Sequence, residues 1–185
     1  METGEIPLYR VLDEQSTVAF TGRVNILDRT TRQLLGVVIL RDGQVFRAEY
    51  RGSKGLKAFY NIVLEGFQLV PQDFIIEPEI ITESDRQIHY PYSVLKSRTD
   101  EILRRFKAVA GLRPPDAVKL ITRDEFLERE GDVTEAEFQV LNTLCEWSQV
   151  KDLYAHCQLL DFEITEALVS LRKQNALSVI GTRKS

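Results

Sequence analysis

The pair Asp42-Gly43 stands between two apolar runs, Gln33 to Leu40 and Val45 to Tyr50, and it restricts the fold more than any other feature of the chain. A two-residue hairpin turn needs positive φ, which Gly adopts at no steric cost and Asp tolerates, so Asp-Gly between such runs predicts an antiparallel strand pair. A third strand-like run, Val18 to Leu27, precedes them across the turn residues Asp28 to Thr31. The beginning of the chain is therefore built around a small antiparallel sheet.

Helical periodicity supplies the flanks. Ile6, Leu8, Val11 and Leu12 recur at spacings of three or four, with Pro7 suited to a first helical position. Lys54 to Leu64 reads as a second helix carrying Leu56, Phe59, Tyr60, Val63 and Leu64 on one face, with Ser53 as its expected cap and Gly66 as its end. Phe67 to Ile81, interrupted by Pro71 and Pro78, predicts short extended segments at the sheet edge. Tyr92 to Val109 is the longest predicted helix.

Gly111-Leu-Arg-Pro-Pro-Asp116 breaks that helix, because two prolines remove donors and restrict the residue before them. The expected organisation is an α+β domain over residues 1–112, a linker over 113–131 with one extended piece at Val118 to Ile121, and an all-α, winged-helix-like domain over 132–185. In the last, Thr134 and Glu137 have capping-box spacing ahead of a helix to Trp147. Helices near Val150 to Cys157 and Phe162 to Gln174 and a β run at Leu177 to Ile180 complete a winged-helix outline.

Composition narrows the function classes. No apolar run has the roughly 18 residues of a membrane span, and Met1 to Pro7 carries Glu2 and Glu5 where an export signal would be basic, so the expected location is cytoplasmic. Cys145 and Cys157 have no clip spacing and read as buried free thiols. His89 and His156 lack metal-ligand spacing, Gly52 to Gly55 lacks the rest of a phosphate loop, and Glu77, Glu79 and Glu83 have no partner base and read as a solvated edge. No catalytic, cofactor-binding or metal-ligating residue is assigned, and the chain reads as a non-enzyme.

DNA contact by the winged-helix outline would fall to Arg172, Lys173, Arg183 and Lys184. Against it, residues 131–185 hold five basic and eight acidic side chains, a net charge of -3, and the would-be recognition helix begins with Asp161, Glu163 and Glu166. Protein docking is the preferred reading and transcriptional regulation through DNA the alternative.

Thr21-Gly22 opening a strand, Leu35-Gly36 leading through Val37 to Leu40 and Asp42-Gly43, the strand ending in Ala48, and Gly52 and Gly55 to Ala58 opening a helix resemble the PATAN domain of bacteria. The resemblance extends through Tyr92 to Val109, the Pro114 to Val118 junction and the helical tail. It implies a signalling adaptor in motility, pilus or polarity control whose partner is another cytoplasmic protein, such as a small GTPase or a motor ATPase. It transfers no catalytic residue.

Overall fold

A computed structural model describes residues 6–68, 70–128 and 132–180. Two compact units divide the chain, Met1–Leu103 and Arg104–Ser185. Their boundary falls ahead of the Gly111 to Asp116 break, inside a helix that the sequence correctly placed.

In the first unit, α1 (Pro7–Thr17) starts with proline at its first position and buries Leu8, Tyr9, Val11 and Leu12. Its exit consumes the beginning of what the sequence suggested was a strand. Ala19 adopts φ 49° and Phe20 donates its N–H back to the Gln15 carbonyl at 3.0 Å, so Val18 and Ala19 cap a helix, and Val18 is left exposed. The strands β1 (Gly22–Asp28), β2 (Leu34–Arg41), β3 (Gln44–Tyr50) and β4 (Ser53–Lys54) follow, then α2 (Gly55–Phe67), β5 (Gln72–Pro78) and α3 (Tyr92–Ala108).

All five strands form one antiparallel sheet in the order β4-β3-β2-β1-β5. Its register places Val24, Val38 and Ala48 in one cross-strand row and Ile26, Gly36 and Tyr50 in the next. Apart from Gly36, each of these side chains is at most 1% exposed, so one face of the sheet is the core face, packed with α1 and α2. Gly36 is needed in its row because an added Cβ would lie 2.6 Å from the Tyr50 ring and 2.3 Å from the Glu49 carbonyl oxygen.

Polar ties bind α3 to α1. The Tyr9 hydroxyl donates to Thr99, the Tyr92 hydroxyl to Asp13 at 2.9 Å, and Lys96 Nζ reaches the same carboxylate at 2.6 Å. Burial pushes both phenols upward, while the bonds from Lys96 and Tyr92 outweigh the effect of burial on Asp13 and hold it below its ordinary value.

The Asp42-Gly43 turn has φ 50° and 73°, the two positive values that a tight hairpin of this twist requires. It is also clamped from below: Gly43 N–H donates to the Phe20 carbonyl at 2.9 Å and Asp42 N–H to Thr21 Oγ1 at 3.0 Å. A Cβ on Gly43 would meet the Ser16 backbone at 2.7 Å. Gly43→Ala is therefore expected to lower unfolding free energy by about 2–4 kcal/mol, from left-handed strain plus overpacking, as read in urea denaturation.

The second unit contains β6 (Lys119–Thr122), α4 (Asp124–Leu127), α5 (Glu135–Glu146), α6 (Val150–His156), α7 (Asp161–Lys173) and β7 (Leu177–Ile180). The segment expected to be a linker contributes β6, which pairs antiparallel with β7 and sends Leu120 into a core with Val140, Leu144, Val150, Leu153, Ile164, Leu168 and Leu171.

Thr134 makes the expected capping box: Glu137 N–H donates to its hydroxyl, while its own N–H donates to Glu137. The other Glu137 oxygen accepts from Gln174 Nε2 at 2.8 Å. Burial opposes ionisation of Glu137, but its hydrogen bonds prevail and hold it below the usual carboxylate value. Its stabilisation is thus complete above the ordinary carboxylate range and fades as pH falls through that range to the lowered folded value. Glu137→Ala is expected to cost about 1–3 kcal/mol at neutral pH, with a smaller penalty in acid, measured by denaturant melts at both conditions.

Candidate functional site

The sheet face turned away from the core is where the first unit concentrates its chemistry. Strand alternation sends Arg23, Asn25 and Leu27 of β1 to this side, and the register sets Ile39 and Arg47 beside Arg23, and Val37 and Glu49 beside Asn25. On the other flank β5 adds Glu77 opposite Arg23, Ile75 opposite Asn25 and Asp73 opposite Leu27.

Positive and negative side chains on this face stand in equal number, and most of them pair. Arg23 donates two hydrogen bonds to Glu79, at 2.8 and 2.7 Å, and Asn25 donates to Glu77 at 2.7 Å. Asp73 takes Arg29 at 2.8 Å and Arg32 at 2.5 Å, and Arg47 lies 3.7 Å from Glu49. The Arg23 guanidinium holds Glu79 below the ordinary carboxylate range. Arg23, Arg29, Arg32 and Arg47 thus stand against Glu49, Asp73, Glu77 and Glu79, and the charges cancel. A neutralised face interleaved with Val37 and Ile75 is suited to another protein surface, not to a polyanion.

Glu77, Glu79 and Glu83 do not converge. Glu83 is held by Arg41 at 2.5 Å and Arg86 at 3.2 Å, so each of the three carboxylates has its own donor. At Gly52 to Gly55, Ser53 is not the cap of α2. It pairs with Tyr50 in the sheet and its hydroxyl donates to the Tyr50 carbonyl at 2.6 Å, leaving Lys54 as an N-cap without a side-chain bond. The strand pairing of Ser53 overrides its capping propensity.

β5 is the outer strand on the side opposite β4, and it is long: seven residues. Ile75 is 41% and Ile76 38% exposed, on opposite sheet faces, and Ile80 just beyond is 94% exposed. An edge of this kind offers backbone donors and acceptors together with apolar side chains.

No protein-family model, curated protein or solved structure matches this chain.

In the second unit, Arg172 and Lys173 are exposed on the last turn of α7, and Arg183 and Lys184 lie outside the described residues. The first turn of α7 carries Asp161 and Glu163, which suit the positive helix end. Glu163 accepts from the Leu160 N–H at 3.0 Å, Glu166 takes Arg105 at 2.7 Å, and Asp161 takes Arg113 at 3.1 Å. These acids are structural at the end that a recognition helix would direct at a groove.

Cys157 is buried, whereas Cys145 is exposed, contrary to the reading of both as buried thiols; its position on α5 falls outside the stripe of Val140 and Leu144 that faces the core. His89 is exposed. Among the described residues, no group of three or more His, Cys, Asp or Glu is placed to hold a metal ion, and no helix is long and apolar enough to cross a membrane.

One arrangement escaped sequence reasoning altogether. His156 lies parallel to the Trp147 ring, 4.0 Å between centroids at 4°, and its Nδ1–H donates to the Asp152 carbonyl at 2.9 Å. The nine-residue spacing across two helices carries no periodic signal; the only hint was an aromatic at the exit of one helix and a histidine at the end of the next. Trp147 is the sole tryptophan, so its emission reports this contact. His156→Ala is expected to change the intensity and wavelength of Trp147 emission by removing the stacked ring, as read by steady-state fluorescence.

Proposed function

We propose that the chain is a non-enzymatic, cytoplasmic signalling adaptor that binds another protein by adding that partner's extended segment to the edge of β5. The observation that carries this reading is the long outer strand with Ile75 and Ile76 exposed beside a face whose charges cancel. Strand addition draws affinity from main-chain hydrogen bonds and specificity from alternate side chains. The resemblance to bacterial PATAN domains supports the adaptor assignment and a partner of the small-GTPase or motor-ATPase kind.

The second unit reads as a winged helix used structurally or for protein contact, supported by three helices, α5 to α7, flanked in the chain by β6 before them and β7 after, which pair with each other. The exposed Arg172 and Lys173 favour the alternative of DNA binding, but the acids at the start of α7 oppose it.

Affinity capture from the native host tests the main reading. Ile75→Lys and Ile76→Lys together are expected to weaken capture of a defined partner by about tenfold or more, while changing stability by only about 0.5 kcal/mol each, as exposed positions do. Capture that is indifferent to these substitutions would remove β5 from the interface. A gel shift on random duplex is expected to show no binding at low salt; a tight shift lost steeply as salt rises would favour the DNA alternative.

A further inference from the structure

The second unit contains a groove of about 470 Å³ whose floor is formed by the buried Leu120, Leu168 and Leu177 and whose lips are Leu112 and Val179. Leu112 is 51% and Val179 64% exposed, so large aliphatic groups face water on both sides of a trough that reaches the core. Small-ligand clefts are typically about 300–1,000 Å³, mostly apolar, with a few fixed polar groups. This groove has that size and that character.

Its charge is equally simple. Arg113 borders the groove but is already engaged with Asp116 at 2.8 Å and Asp161 at 3.1 Å, and its guanidinium lies 4.0 Å from the Tyr154 ring centroid. Arg172, on the last turn of α7, also lines it, and its guanidinium has no ion pair or side-chain hydrogen bond among the described residues. Among the described residues, no carboxylate lines the groove.

We propose that this groove binds an amphiphilic monocarboxylate, an alkyl chain lying along the leucine floor with its headgroup on Arg172. Aliphatic walls without an aromatic platform suit a linear chain and give nothing for a planar base or ring to stack on. The scarcity of hydrogen-bonding side chains along the trough disfavours a sugar. Among the described residues the groove has one available cation, Arg172, which matches one carboxylate and falls short of a polyphosphate, which would recruit several donors. The assignment is independent of the β5 edge, since the groove residues all belong to the second unit.

Calorimetric titration of the full chain with decanoate, below its micellar concentration, tests it. The expected result is saturable 1:1 binding that tightens about three- to fourfold for each methylene added from octanoate to decanoate. Arg172→Gln is expected to weaken decanoate about tenfold. The neutral analogue 1-decanol should bind the unaltered protein about tenfold more weakly than decanoate, a comparison that requires no variant. Absence of saturable binding, affinity indifferent to chain length, or equal binding of decanol and decanoate would each overturn the proposal.

Discussion

One-sided burial of an antiparallel sheet governs the first unit. Val24, Ile26, Val38, Leu40, Ala48 and Tyr50 are all at most 1% exposed, and they occupy alternate positions, or positions adjusted by a bulge, along three neighbouring strands. A slip of one residue would turn each of them to water, at roughly 1.5–3 kcal/mol per large side chain. Register is therefore fixed by the core, and the tight Asp42-Gly43 turn agrees with it. Register shifts between Ile26 and Leu27 and between Ile39 and Leu40 interrupt the ladder, and Ile39 and Leu40 both stay buried.

The same constraint creates the surface. Since side chains alternate, fixing the core face also fixes which residues stand on the other, and there arginines stand against carboxylates, within β3 and between distant segments, instead of leaving a one-signed field. Such exposed pairs contribute little stability individually. Their effect is to neutralise the face around Val37 and Ile75, where a partner would otherwise have to desolvate unpaired charges. Proline flanks at Pro71 and Pro78 confine the accessible edge to the seven residues between and including Gln72 and Pro78.

Much of this architecture was legible in the residues. The Asp-Gly turn, the Tyr92 helix and the Thr134–Glu137 capping box follow from local chemistry, and each lies where that chemistry puts it. Val18 and Ala19 misled because apolar and strand-prone residues can equally close a helix when the backbone turns left-handed, a choice made by the Phe20 to Gln15 hydrogen bond. Ser53 misled for a related reason: a cap and a strand pairing compete for one short side chain. Three of the open-face ion pairs, Arg23–Glu79, Arg29–Asp73 and Arg32–Asp73, join residues more than forty positions apart, and the Trp147–His156 stack depends on how two helices meet. Neither arrangement is encoded in spacing. The β5 edge was partly visible through its prolines, but only the strand order reveals which side of the strand lacks a neighbour.

Amide hydrogen exchange along β5, compared between the free chain and the chain bound to its captured partner, addresses the central claim directly. Strand addition predicts that amides between Gln72 and Pro78 exchanging readily in the free protein become protected in the complex, in the alternating pattern of a new antiparallel or parallel ladder. Unchanged exchange in β5, with protection arising on another surface, would contradict the account.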